Sequence, residues 1–325
     1  MANIKQIAKI AGVSITTVSR VLNDHPYVSD EKRKRVLNAI EELNYAKNIN
    51  AVHLIKGKTF TIGVMLPFIN LPYFSTILEG IGNEALAAGY HINLCQTNYD
   101  SIEEIRVLEM MKMKQFDGMI ICSRTSSWEH IEPFAKFAPI TSCEKMKHPL
   151  ISSVYVDHYE GFRIGTEYLL SKGHERIGVC LARQKSVNTK QREKAFSDAL
   201  HTAKKRLQPD WMFYQCYTMQ DGAKALHSML NMKERPTAIF TANDQVAAGL
   251  LTEARKNGIR VPEDLAILGF DNHEISEALE ITTIEHPGLT MGALAFSLFH
   301  KQILGEQIIG NSKELPFRLV ERKTV

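Results

Sequence analysis

Residues 7 to 20 read Ile-Ala-Lys-Ile-Ala-Gly-Val-Ser-Ile-Thr-Thr-Val-Ser-Arg. Their spacing gives a helix-turn-helix. Ala8 is small enough for two helices to cross closely, Gly12 supplies the turn, and Val18 wedges the helices together. With those positions inward, Ile15, Thr16, Ser19, Arg20 and Asn23 project outward near the start of the second helix. The chemistry on offer is base reading: Arg20 can donate twice to guanine O6 and N7, Thr16 can bond a base edge or a phosphate, and Ile15 can meet a thymine methyl. Lys5, Ser14, Thr17, Tyr45 and Lys58 complete this candidate DNA-contacting set, the lysines through phosphates. The alternative is a helical hairpin with a solvated outer face.

A second group of polar residues follows short apolar runs. Ser123 and Arg124 come after Gly118 to Cys122, Glu144 after Ile140 to Cys143, Asn243 after Ala238 to Thr241, and Asp271 after Ala266 to Phe270. Such groups can pair with hydroxyls, and Tyr73, Phe74 and Tyr217 offer faces on which a sugar ring could stack. Any one strand-end Asp or Asn is equally suited to capping the following helix. Catalysis is not indicated. There is no G-x-G-x-x-G, G-x-x-x-x-G-K-[ST] or G-x-S-x-G, and the twelve histidines form no HExxH. Neither a catalytic residue, a metal site nor a cofactor is expected.

The elements that must position these groups differ along the chain. Residues 1–46 read as three short helices, the second capped by Ser14 and the third starting after Ser29 and burying Val36, Leu37, Ile40 and Leu43. Residues 47–59 form a linker. From residue 60 to 325 apolar runs alternate with amphipathic stretches, which implies parallel sheets covered by helices on both faces. About 265 residues suit two doubly wound subdomains of the periplasmic-binding-protein type, the first at about 60–157 and 287–325 and the second at about 158–286. Charge is segregated likewise. Residues 1–58 carry ten Lys/Arg against five Asp/Glu, a net +5, which leaves −2 on the remainder of a chain whose total is +3. A basic end on a near-neutral body suits a polyanion partner. The five cysteines are dispersed and set in apolar runs. With no signal-like segment and no long apolar stretch, a reduced, cytoplasmic protein is expected.

The string from Ile4-Lys5 through Ile7-Ala8, Ala11-Gly12-Val13-Ser14 and Thr17-Val18-Ser19-Arg20-Val21-Leu22-Asn23 resembles the signature of the lactose-repressor/galactose-repressor (LacI/GalR) family of bacterial regulators. The likeness continues through Glu42 to Tyr45 and Asn48 to Leu54 and on across the sensor region. It implies a homodimer on a pseudo-palindromic double-stranded operator, no membrane partner, and a hinge helix bearing Asn48, Ala51 and Leu54, with Leu54 wedged into the minor groove. It also implies that Glu144, Arg192, Asn243 and Asp271 line a cleft for a sugar or sugar phosphate. Lys47 and Val52 depart from the usual Pro and Arg, and Glu144 and Ala195 from the usual Asp and Gly, which bears on operator identity and cleft depth. Two other readings remain open: a phosphorylated carrier protein as corepressor, and, more distantly, a solute-binding protein without DNA function.

Overall fold

The computed structural model describes residues 3–45, 57–306 and 312–325. The chain divides into two compact units, residues 1–59 and 60–325.

The first unit holds α1 (Ile4–Ala11), α2 (Ile15–Leu22) and α3 (Asp30–Glu42). Asn3 and Gln6 form a capping box at the start of α1, the Asn3 side chain accepting from the Gln6 N–H at 3.0 Å and Gln6 accepting from the Asn3 N–H at 2.9 Å. Gly12 ends α1 at φ 61, a left-handed conformation in which a side chain would be strained. Ser14 Oγ then accepts from the Thr17 N–H at 3.2 Å and starts α2. Ile7, Ala8, Ala11, Val18, Val21, Val36 and Ala39 form the core. Leu37, expected inside, is 52% exposed. The inward stripe of α3 is Val36, Ala39, Ile40 and Leu43, an i, i+3, i+4, i+7 set, and Leu37 sits one step of about 100° off it.

The second unit holds two six-stranded sheets. The first takes β1 (Thr61–Leu66), β2 (His91–Gln96), β3 (Met119–Ile121), β4 (Ile140–Ser142), β5 (Ile151–Val156) and β11 (Ser312–Leu315), in the order β11-β5-β4-β3-β1-β2, all parallel. The second takes β6 (Ile177–Cys180), β7 (Met212–Phe213), β8 (Ala238–Thr241), β9 (Ala266–Asp271), β10 (Thr282–Glu285) and β12 (Arg318–Val320), in the order β12-β10-β9-β8-β6-β7. Here β12 runs antiparallel to β10. The chain therefore crosses between sheets near residues 157, 286 and 316.

That third crossing corrects the expected subdomain boundary, which kept all of 287–325 with the first sheet. Residues 318–325 belong to the second: β12 pairs with β10, the Ile267 N–H donates to Thr324 O at 2.7 Å, and Thr324 Oγ accepts from the Thr282 N–H at 2.9 Å. A three-residue strand with no apolar alternation leaves no signal in sequence, and its place is set by these hydrogen bonds.

Helix pairs with the same close crossing pack in both halves. In the first, Pro72–Ala87 crosses Gly288–Ile303, and in the second, Met219–Leu230 crosses Asp244–Lys256. A Cβ on Gly292 would stand 2.0 Å from Ile77 O, and one on Gly249 would stand 2.0 Å from Met219 O. Glycine is required there because backbone meets backbone.

Candidate effector cleft and base-reading helix

Ligands of parallel sheets sit beyond the carboxyl ends of strands. In this chain the ends of the two sheets enclose a cavity of about 210 Å³. All nine residues put forward from sequence (Tyr73, Phe74, Ser123, Arg124, Glu144, Arg192, Tyr217, Asn243 and Asp271) line it.

From the first sheet, Ser123 Oγ donates to Glu144 Oε1 at 2.9 Å, and Arg124 Nε stands 3.3 Å from Glu144 Oε2. The Arg124 guanidinium also donates to Ser126 O and covers the Trp128 ring at 4.0 Å. Burial pushes the Glu144 carboxyl above its ordinary range, and the neighbouring Arg124 opposes that rise. Glu144 is thus held by both neighbours, although the Nε of Arg124, like that of Arg192, makes no hydrogen bond among the described residues.

The second sheet presents a different pair. Arg192, 9% exposed, donates through Nη1 to Ala242 O at 3.2 Å, and its Nη2 lies 3.2 Å from His158 Nδ1. Its guanidinium lies over Phe270 at 4.6 Å and Phe162 at 5.0 Å, while the buried Nε has no hydrogen-bond partner among the described residues. Burial lowers the pKa of Arg192, and Asp271 partly restores it. Asp271 is 6% exposed and held at φ 108, a conformation that costs a non-glycine residue energy. Nearby, His273 Nε2 is 3.6 Å from Oδ2, an ion pair only when the imidazole is protonated. Arg192 and the strained Asp271 both line the cavity, and groups of these types can pair with hydroxyls.

The remaining expected residues are placed less decisively. Asn243 caps the helix Asp244–Lys256, Oδ1 accepting from the Val246 N–H at 2.9 Å and Nδ2 donating to Tyr217 O at 3.2 Å. Phe74 belongs mainly to the core under the first sheet. Tyr73 packs edge-on against His286 at 4.8 Å, and Tyr217 against Phe68 at 6.3 Å.

Sequence reasoning missed Tyr99, His158, Arg183 and His273, all of which line the cavity. Arg183 stacks on Tyr99 at 3.4 Å and donates to Thr125 Oγ at 3.0 Å and Arg124 O at 3.3 Å, so it spans from the second sheet to the first. Tyr99 follows β2 and Arg183 follows β6, so the strand-end rule applied to those two strands finds both. No group of three or more His, Cys, Asp or Glu among the described residues could hold a metal. All five cysteines are free and buried.

In the first unit, Lys5, Ser14, Ile15, Thr16, Arg20 and Asn23 are exposed, while Thr17, Ser19 and Tyr45 are partly covered. Thr17 Oγ is 2.9 Å from Ser14 Oγ. Lys58 is half-buried, and Asn48, Ala51 and Leu54 lie outside the described residues.

Two family models match the chain: "Bacterial regulatory proteins, lacI family" over residues 3–48, and "Periplasmic binding proteins and sugar binding domain of LacI family" over residues 59–315. The chain belongs to the LacI family. Among relatives of this LacI-family protein, the HTH-type transcriptional regulator YkvZ of Bacillus subtilis (strain 168) is 47% identical over the whole of both chains. The NTD biosynthesis operon regulator NtdR of the same organism is 38% identical, again over the whole of both. A solved lac repressor dimer bound to operator and the anti-inducer ONPF superposes with a TM-score of 0.82 at 26% identity, covering 99% of this chain and 98% of that one. The regulator CelR in complex with cellobiose gives 0.72 at 25% identity, with full coverage of both chains. The protein is a DNA-binding transcriptional regulator with a sugar-binding-type sensor domain. Among the described residues no helix is long and apolar enough to cross a membrane.

Proposed function

We propose that this regulator is a homodimeric repressor of carbohydrate-utilisation genes, switched by a small sugar-like effector in the cleft between its two sheets. The supporting observation is that the buried Arg192 and the strained Asp271 carboxylate line one small cavity together. A carbohydrate supplies the matching acceptors and donors, and the complex of CelR with cellobiose lends the reading weight. Effector binding alters the relation of the two sheets through the three crossings near residues 157, 286 and 316, and that change reaches the DNA-reading unit with a coupling of about 1 to 3 kcal/mol. One recognition helix reads only a few base pairs, so a two-fold dimer on a pseudo-palindrome supplies the specificity. The lac repressor dimer on its operator is the relative that supports this arrangement.

The test is selection from a random duplex pool at a fixed salt concentration. A pseudo-palindrome should be enriched, and Arg20→Ala should relax base preference at one position per half-site, a loss of roughly 1 to 3 kcal/mol in discrimination. Unchanged preference would show that α2 is not the reading helix. Enrichment only after adding cell extract would point instead to a carrier-protein corepressor.

A further inference from the structure

The charges around the cleft do not balance. Arg124, Arg183, Lys185 and Arg192 line it, against the carboxylates of Glu144 and Asp271. Glu144 is taken up by Arg124 and Ser123, and Asp271 has His273 at 3.6 Å and acts on the charge of Arg192. Burial keeps His158 neutral, its pKa lying well below the ordinary value. The four cations exceed the two carboxylates by two: Arg183 makes no ion pair within 4 Å among the described residues, although Glu144 feels its charge, and Lys185 makes none either; both lie on the loop that enters the sixteen-residue helix Val187–Thr202. At that helix start Ser186 satisfies the N–H groups of Thr189 at 3.1 Å and Lys190 at 3.1 Å, leaving those of Val187 and Asn188 unused. Arg192, more than nine-tenths buried and with Nε unpartnered, stands on the same helix and lines the same cavity.

We infer that the effector is a phosphorylated sugar, its sugar ring held by Arg192 and Asp271 and its phosphate by Arg183, Lys185 and the first N–H groups of the helix Val187–Thr202. This rests on the cleft reading above and narrows it. A surplus of two positive charges corresponds to a phosphate monoester, which carries about −1.5 to −2 at neutral pH, whereas a carboxylate would leave one of them unbalanced. Unsatisfied N–H groups at a helix start, with the positive end of its dipole, add donors suited to phosphate oxygens.

The experiment is titration calorimetry of the full chain with glucose, glucose 6-phosphate, fructose 6-phosphate, gluconate and inorganic phosphate. A hexose phosphate should bind at least tenfold tighter than glucose and gluconate, and its affinity should fall with added NaCl. Lys185→Met, at an exposed position, should weaken the hexose phosphate by about tenfold and leave glucose unchanged. Glucose binding as tightly as its phosphate, with Asp271→Asn abolishing it, would overturn the phosphate assignment while leaving the sugar cleft standing. Gluconate matching the phosphates would also overturn it, in favour of a sugar acid. Binding of inorganic phosphate alone, insensitive to Lys185→Met, would overturn the subsite. If none of the five compounds binds, both the subsite and the sugar reading fall.

Discussion

The two sheets bring unlike chemistry to a shared cleft. The first contributes a carboxylate that is already held: Ser123 and Arg124 bind Glu144, and Arg124 also meets Ser126 O and Trp128, with only its Nε lacking a hydrogen bond among the described residues. From the second comes a carboxylate that is not: the strained Asp271 meets only His273, at 3.6 Å, and it shares the cavity lining with Arg192 and with Lys185, which makes no ion pair among the described residues. Yet the frames are built alike, down to a glycine in each helix crossing whose Cβ would stand 2.0 Å from a carbonyl. The architecture was duplicated and the recognition was not. A carboxylate already held by its neighbours has little capacity left for a ligand, whereas one that meets only a histidine at 3.6 Å keeps most of it.

The largest effect that follows is at Asp271. Asp271→Asn keeps the shape and removes the charge that acts on Arg192, and effector affinity should fall about 100-fold, the loss of one charged hydrogen bond. Operator affinity without effector should stay within about twofold, since a buried group in the sensor touches no DNA. Calorimetry with the effector and binding to the selected duplex measure the two. Loss of both would mean that Asp271 serves folding, and the asymmetry would lose its main support.

The duplicated frame is tested next. Gly249→Ala and Gly292→Ala should each lower stability by roughly 1 to 3 kcal/mol, read as a drop in thermal midpoint, because helix backbones must separate to admit a methyl. Comparable drops would establish the crossings as equivalent. A drop in only one would show that the other crossing can relax.

How much of this was legible follows the same division. The alternation of apolar runs and helices announced the layered sheets, and the ends of those runs located the Glu144 cluster and Asp271, whereas Arg192, on a helix, was reached only through the family resemblance. Three things were hidden. The return of residues 318–325 to the second sheet depends on hydrogen bonds from Thr324 and Ile267 that no apolar pattern encodes. Leu37 had the right residue type and the wrong angle on its helix. Asn243 carries a cap and a cavity position at once, so no argument from residue type could choose between them.

A smaller effect comes from pH. Burial pushes His286 down to about 4, and burial with the nearby Asp271 raises Asp244 to about 7. Between about 6.5 and 4 the unfolded chain binds a proton at His286 that the folded chain does not, so stability falls as pH falls through that window. Asp244 acts in the opposite sense: from about 7 down to its ordinary value the folded chain holds a proton that the unfolded one has lost, and stability rises as pH falls. The two oppose, and His286→Gln should uncover the Asp244 slope. The thermal midpoint of the variant relative to the parent should climb as pH is lowered from 7 towards 4. A constant difference would mean that His286 takes up its proton in the folded protein.

The smallest effect, and the sharpest on the asymmetry, is Glu144→Gln. Glutamine keeps an acceptor for Ser123 Oγ, and Arg124 keeps Ser126 O and the Trp128 face. Burial has already made the Glu144 charge costly, so removing it sacrifices little. Affinity for a neutral sugar should change by less than about tenfold, well short of Asp271→Asn. For a phosphorylated one the sign should differ, because losing a negative charge from the cleft wall favours an anion, and glucose 6-phosphate should bind equally well or slightly tighter. A loss at Glu144 as large as that at Asp271 would place both sheets in recognition and end the distinction between the two carboxylates.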